Sequence, residues 1–379
     1  MKTVYLDHAA TTPLDPRVVD EMMPFMLNSY GNPSSIHHMG IEVKRAINEA
    51  RSTIANLFGV SDRGVIFTSG GTESTNLALR GYASKHPEKK EIITSPIEHH
   101  ATLHALDHLK ELGYIIHVID VDEEGFIKIN QLKEKLSDQT LLVSIIWANN
   151  EIGTIQDVKK IGELCREYGA KLHVDAVQMV AHFPVSFHDY QIDFLSLSAH
   201  KFYGPKGMGA LIVRDHTLID PILYGGNQEY GLRSGTENVY GIIGMRRALD
   251  LKQEEGLVRQ KHLLKLSQTL TELIRGNFPE VKFNGPQDQQ KKLPGILSLS
   301  FPYIESQTFA FALDQKGIYV STGSACLSNE VLESHVLKAI HIKDNMGTLR
   351  ISFGKDSDIK DLPLVVKTMK DIYEQLKDA

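Results

Sequence analysis

Two side chains in this sequence have the chemistry and the neighbours to act covalently, Lys201 and Cys326. Lys201 lies in Phe194-Leu195-Ser196-Leu197-Ser198-Ala199-His200-Lys201-Phe202-Tyr203-Gly204-Pro205-Lys206-Gly207. The short alternating apolar run reads as a strand and the Gly-Pro-Lys-Gly as a turn, so the lysine belongs on the loop where a buried strand ends. An amine is a nucleophile near neutral pH only when burial or a neighbouring cation lowers its pKa, and its main catalytic use is a Schiff base with a carbonyl compound. Most lysines are simply solvated, so the assignment rests on the company Lys201 keeps.

Cys326 lies in Ser321-Thr322-Gly323-Ser324-Ala325-Cys326-Leu327-Ser328-Asn329, a small, polar stretch that exposes a thiol. The other cysteine, Cys165, sits in the helical pattern Ile161-Gly162-Glu163-Leu164-Cys165-Arg166-Glu167-Tyr168 and reads as a small apolar core residue. Two cysteines make no disulfide framework and suit a reducing compartment.

Further groups gather around the lysine. Asp175, in His173-Val174-Asp175-Ala176-Val177-Gln178, is a carboxylate at a strand end; it reads either as a capping or ion-paired residue or as the partner that keeps a pyridinium nitrogen protonated. Gly64-Val65-Ile66-Phe67-Thr68-Ser69-Gly70-Gly71-Thr72-Glu73 gives a strand, a glycine turn and a helix start. Its backbone N–H groups and the Thr72 hydroxyl make an anion site, although such a turn alone is equally a chain reversal. Ser198 and His200 flank the lysine and could hold a phosphate or orient an imine. Lysine, aspartate and phosphate turn in one α/β chain describe a pyridoxal phosphate site.

In Glu98-His99-His100-Ala101-Thr102-Leu103-His104-Ala105-Leu106-Asp107-His108, residues His100, His104 and His108 share a helix face. That spacing raises zinc, but the pattern has no place for a general-base glutamate or a further ligand, so no metal is expected. His99, at the helix start, is the better candidate for chemistry.

These residues must be positioned by a framework that is legible in outline. From Glu91 to Lys201 strand-like runs alternate with helical patterns, a βαβα rhythm that predicts a mainly parallel sheet covered on both faces. Ligands of such sheets sit beyond the carboxyl ends of the strands, where Thr72, His99, Asn150, Asp175, Gln178 and Lys201 all fall. Upstream, Tyr30-Gly31-Asn32-Pro33-Ser34-Ser35 leads into a helix with Val43, Ile47, Ala50, Ile54 and Leu57 on one face, closed by Gly59. The glycine-broken loop from Tyr224 to Thr236 carries Arg233, and a long helix follows. At 379 residues the chain exceeds one hydrophobic core. Residues 15–255 are expected to form a large cofactor-binding domain, and 1–14 with 256–379 a smaller α+β domain that carries the cysteine loop. The first strand is expected to join the smaller unit. A formal charge of −6 without blocks of like sign argues against a nucleic-acid partner. With no signal or spanning pattern, no membrane partner and a cytoplasmic location are expected.

The chain resembles the cysteine desulfurases of the NifS-like group, within the class V aminotransferase branch of fold-type I pyridoxal phosphate enzymes. The resemblance runs from Tyr5-Leu6-Asp7-His8-Ala9-Ala10-Thr11-Thr12 to Leu349-Arg350-Ile351-Ser352-Phe353-Gly354. Between them it includes Gly31-Asn32-Pro33-Ser34-Ser35, Gly70-Gly71-Thr72-Glu73, Glu98-His99, Asn149-Asn150-Glu151-Ile152-Gly153, His173-Val174-Asp175-Ala176, Ser198-Ala199-His200-Lys201, Arg233-Ser234-Gly235-Thr236 and Gly323-Ser324-Ala325-Cys326. Eight such motifs in order do not arise by chance.

The resemblance implies an α/β fold-type I transferase with a mainly parallel seven-stranded sheet in the large domain, and a homodimer. It implies that Lys201 carries the cofactor as a Schiff base, that Asp175 pairs with the pyridine nitrogen and that Gln178 pairs with the ring oxygen. Gly71, Thr72, Ser198 and His200 would hold the phosphate, with Thr236 from the second subunit. His99 would stack on the ring and assist proton transfer, and Asn150, Arg350 and Asn32 would bind substrate. L-cysteine would become L-alanine, leaving a persulfide on Cys326 for an acceptor protein, an iron–sulfur scaffold or a tRNA thiolase. Family members more often read Ser-Ser-Gly-Ser-Ala-Cys-Thr-Ser, whereas Thr322 and Leu327 stand here, and the tail ending at Ala379 is shorter than in members dedicated to cluster scaffolds. A selenocysteine lyase or other class V enzyme, and a non-catalytic sulfur-carrier or scaffold protein, are the competing readings.

Overall fold

In the computed structural model, residues 3–322, 334–343 and 346–377 are described. The central sheet has seven strands in the spatial order Val65–Thr68, Gly209–Val213, Phe194–Ser198, Lys171–Asp175, Thr140–Ile146, Glu91–Thr94 and Ile115–Val118. The inner strands Thr140–Ile146, Phe194–Ser198 and Gly209–Val213 are buried at every residue, because helices cover both faces. Continuous burial is why these strands read as near-unbroken apolar runs, while Ile115–Val118, at the edge, is largely exposed.

Five strands, Phe194–Ser198 through Ile115–Val118, run parallel, and Gly209–Val213 is antiparallel to both its neighbours. Gly209 consequently stands opposite Thr68 on one side and Ser198 on the other. The glycine turn after Thr68 and the lysine turn after Ser198 are thereby brought to the same end of the sheet. Glycine is required there: a Cβ on residue 209 would lie 2.6 Å from the Gly70 Cα and from the Leu197 carbonyl oxygen.

The expected helix spans His38–Phe58 and buries Val43, Ile47, Ala50, Ile54 and Phe58, each worth about 1.5–3 kcal/mol when large and apolar. It stops at Gly59, whose φ of 71° is the left-handed conformation that ends helices.

A second core lies under a three-stranded antiparallel sheet, Lys282–Asn284, Ile296–Pro302 and Met346–Ser352. The first strand, Val4–Tyr5, pairs in parallel with Ile318–Tyr319 beside it. The helix Val239–Asn277 belongs to both cores. Ile242, Ile243, Met245, Ala248, Leu249 and Leu251 pack into the first, and Leu263, Leu266, Leu270 and Ile274 into the second. The N-terminal segment also crosses between them, with Leu6 in the second core and Ala9 in the first. No helix among the described residues is long and apolar enough to cross a membrane.

Candidate active site

Lys201 ends a short 3-10 turn, Ala199–Lys201, at the carboxyl end of Phe194–Ser198. The turn is tight because the Ala199 carbonyl accepts the N–H groups of Phe202 and Gly204, at 3.1 and 2.9 Å. Lys201 Nζ donates to the carbonyl oxygens of Ala9 and Ala10, both at 2.7 Å. Gln178 Nε2 donates to the same Ala9 oxygen at 2.9 Å. Thr11 Oγ1 lies 3.1 Å from His200 Nδ1, and Thr12 Oγ1 donates to the His200 carbonyl at 2.8 Å. The segment from Asp7 to Thr12 is therefore a strap laid across the lysine turn.

Asp175 closes its strand with both faces of the sheet covered, and Oδ1 accepts the Val177 N–H at 3.0 Å. Burial pushes its carboxyl up to about 6, against the pull of that N–H and of the Lys201 charge. A buried carboxylate short of positive charge suits the protonated nitrogen of a pyridine ring.

His99 caps the helix His100–Glu111: its Nδ1 accepts the Ala101 N–H at 3.1 Å. That leaves the proton of the neutral ring on Nε2. Burial, then the charges of Lys201 and the neighbouring histidines, lowers its pKa to about 4, so the ring is neutral at pH 7.

A cleft of about 460 Å³ opens beside these residues, lined by Thr11, Ser69, Gly70, Gly71, Thr72, Ser198 and His200 among others. Gly71 is the first residue of the helix Gly71–Lys85, whose free N–H groups make an anion site there. A Cβ on Gly71 would lie 2.9 Å from Val177 Cγ2. The cradle thus fits a phosphate and depends on the missing side chain. Glu73 steadies the turn from below, accepting the Ser69 N–H at 2.8 Å and Arg233 Nε at 2.9 Å.

At the other end of the site Arg350 is buried at 4 % exposure. One terminal nitrogen donates to Asp7 Oδ1 at 2.7 Å and the other to the Asn150 carbonyl at 3.1 Å. Its Nε is buried and has no hydrogen-bond partner among the described residues. An unsatisfied guanidinium N–H costs energy that an incoming carboxylate would recover. Asn149 knits this corner to the His99 turn: its Oδ1 accepts the N–H groups of Glu151 and Ile152, and its Nδ2 donates to the Ile97 carbonyl. Burial raises Glu151 to about 7, offset by Ser334 and Arg350, and raises the fully buried Glu98 well above the carboxylate range.

The structure therefore brings Lys201, Asp175, Gln178, His99, Ser198, His200, Gly71 and Thr72 to one end of the sheet, with Arg350 and Asn150 joined by a hydrogen bond at its border. Two expected site residues, Asn32 and Thr236, lie apart. Asn32 is exposed, its Oδ1 accepting the Ser34 N–H at 2.9 Å, and no hydrogen bond among the described residues links it to Arg350. Thr236 is exposed on its loop and does not line the phosphate cleft of its own chain. Cys326 lies outside the described residues. The rings of His100 and His104 stand 5.2 Å apart, with His335 at 4.7 Å from His100, yet no metal-binding group of three is found among the described residues. Asp7, Glu151 and Ser334 contribute contacts that sequence reasoning gave no role. Asp7 and Glu151 were at least marked by the motifs that contain them.

Residues 4–365 match the family model of aminotransferase class V. The chain belongs to the class V aminotransferase family. Members of this family use pyridoxal phosphate, and the buried carboxylate, the strand-end lysine and the glycine cradle fit its ring nitrogen, aldehyde and phosphate. Within the family, the chain is 44% identical over 379 residues to "Cysteine desulfurase IscS" of Dictyoglomus turgidum, covering 99% of this chain and 96% of that protein. A solved "NIFS-LIKE PROTEIN" superposes with a TM-score of 0.92 at 38% identity, covering 99% of this chain and all of the other. A structure described as "SspA in complex with cysteine" superposes with a TM-score of 0.80 at 33% identity over 93% of this chain and 99% of the other.

Proposed function

We propose that the protein is a pyridoxal phosphate-dependent L-cysteine desulfurase. It converts L-cysteine to L-alanine and leaves the sulfur on Cys326 as a persulfide. The cofactor supplies an electron sink that labilises bonds at the substrate's α- and β-carbons. Arg350 and the Asn150 turn hold the substrate carboxylate, and the guanidinium fork fixes its orientation. Lys201, once its amine is free of the cofactor, takes the α-proton as a base. His99, neutral and protonated on Nε2, would donate a proton from that nitrogen. The Cys326 thiolate attacks the substrate sulfur; one S–S bond forms, the C–S bond breaks, and the carbon fragment leaves with its electron pair and gains a proton.

One observation carries the assignment of Cys326. The described residues bordering its segment both reach the substrate corner: Ser321 exchanges backbone hydrogen bonds with Arg350, at 2.6 and 3.1 Å, and Ser334 Oγ donates to Glu151 at 2.5 Å. Mass spectrometry of Cys326 after L-cysteine should show one added sulfur atom, lost in C326S while the yellow cofactor absorbance persists. Full activity of C326S with L-cysteine would remove Cys326 from this role.

The reading extends to a cytoplasmic homodimer in which Thr236 completes the partner's phosphate site. Its exposure, with Tyr224, Leu223 and Tyr240 exposed on the same stretch, supports this. Sulfur would pass on to an acceptor protein, an iron–sulfur scaffold or a tRNA thiolase, and transfer from the persulfidated enzyme to each would tell them apart.

A further inference from the structure

The groups that line the phosphate cleft are short of positive charge. A phosphate monoester carries about −1.5 to −2 charges at pH 7, and a helix N-terminus offers the equivalent of about +0.5. Thr11, Thr72 and Ser198 bring only hydroxyls to the cleft. His200 brings a neutral ring, because burial, then the charges of Lys201 and Lys206, lower its pKa to about 4. Glu73 brings a negative charge, which Arg233 answers at 2.9 Å. Lys201 Nζ is held by the Ala9 and Ala10 carbonyls, and in the proposed reaction that amine is reserved for the cofactor's aldehyde.

Lys206 remains. It lines the cleft, and its charge reaches the His200 ring. The chain reversal places it there: the Ala199 N–H donates to the Met208 carbonyl at 2.9 Å, and Gly207, with a φ of 72°, turns the chain into Gly209–Val213. Lys206 stands exposed on that turn, and among the described residues no ion pair joins it to a carboxylate. It also borders a neighbouring cleft of about 560 Å³, which shares Thr11 with the first and contains Asp356, Asp358 and Asp361. An anion nearing this face is repelled by those carboxyls and by a chain of formal charge −6, and is attracted by Lys206.

We propose that Lys206 is a cofactor-binding residue, its ammonium supplying the charge that draws the phosphate of pyridoxal phosphate into the Gly71 cleft and offsets it there. The inference rests on pyridoxal phosphate occupying this cleft and adds a cation to its cradle of neutral donors. Hydroxyl and backbone donors fix the orientation of the phosphate. The lysine, a point charge on a flexible stem, governs how fast the anion arrives and how tightly it stays. An exposed ammonium acts through a field that salt screens, whereas the enclosed hydrogen bonds of the cradle are screened much less.

The test uses the whole chain as apoenzyme, with its K206M and K206R variants. Stopped-flow absorbance follows the yellow cofactor band on adding pyridoxal phosphate, at low salt and at about 1 M salt, where the screening length falls to about 3 Å. Pyridoxal, which lacks the phosphate, is the control ligand, and inorganic phosphate is the competitor. At low salt K206M should take up pyridoxal phosphate about fivefold more slowly and bind it about five- to tenfold more weakly, the gap closing to within about twofold at high salt. K206R should match the wild type, and inorganic phosphate should compete severalfold less well in K206M. Pyridoxal should bind all three proteins alike. Equal uptake of pyridoxal phosphate by wild type and K206M at low salt would overturn the inference. So would an equal loss with pyridoxal, which would make Lys206 part of the shape of the turn and not a partner of the phosphate. Absence of the yellow band from the wild-type protein would instead overturn the cofactor's place in this cleft.

Discussion

Asp7 and Arg350, 343 positions apart in the sequence, form an ion pair at 2.7 Å in which the arginine is almost wholly buried. The pair, with the Asn150 carbonyl, orients the guanidinium so that Nε is a donor left over among the described residues. Without Asp7, Glu151 is the other carboxyl in the field of Arg350, and the guanidinium would turn towards it. D7A should raise KM for L-cysteine about tenfold with a smaller change in kcat, the pattern of lost ground-state binding. Steady-state kinetics decide it, and an unchanged KM would mean that Asp7 does not set the arginine.

Gly71→Ala puts a methyl group 2.9 Å from Val177 Cγ2, at the start of the helix that faces the phosphate cleft. The helix N-terminus must shift or the cleft must narrow, and either weakens the anion site. Cofactor affinity of the reconstituted apoenzyme should fall about tenfold or more, while the melting temperature of the apoenzyme moves little. Fluorescence titration with pyridoxal phosphate reads the first quantity, and equal affinity would separate Gly71 from the phosphate.

His173 is fully buried between Ser144 Oγ, 2.8 Å from Nδ1, and Ser196 Oγ, 2.9 Å from Nε2. Burial lowers its pKa from 6.5 to about 3. The folded state thus binds fewer protons than the unfolded one in that range. Its stabilising contribution is complete above pH 6.5 and is lost as pH falls towards 3, at about 1.4 kcal/mol per pKa unit. The buried Asp175 and Glu151 act with the opposite sign: their raised pKa values favour the folded state below about pH 4 and lose that contribution as pH rises to about 6 and 7. H173Q should melt lower than wild type at pH 8 but lose less stability between pH 6.5 and 4. Parallel melting curves against pH for the two proteins would remove His173 from acid unfolding.

The parallel sheet was legible because its strands are buried on both faces and separated by helical periods, and the gathering of Lys201, Asp175, Gln178 and His99 was legible because each falls at or just after a strand end. What escaped was the pairing between distant segments. Nothing local in Asp7, Ala9 or Ala10 says that they meet Arg350 and Lys201, since two of the three contribute only backbone carbonyls. Ser334 was silent and Glu151 was marked only as part of its motif, because a capping serine and a buried glutamate have ordinary local explanations until tertiary contact joins them. The antiparallel placement of Gly209–Val213 was also hidden: apolar run and turn carry no direction.

The strap from Asp7 to Thr12 has a consequence for biosynthesis. It is made before its partners Lys201, Arg350 and Ser352, which come roughly 190 to 340 residues later. At about 5–20 residues per second, the opening stretch waits on the order of 20–70 seconds for its last contact to be translated. The sheet and the lysine turn can assemble in that interval, but the corner where Asp7 meets Arg350 closes last, so a vitamin-derived cofactor can find its berth before the substrate's own corner exists.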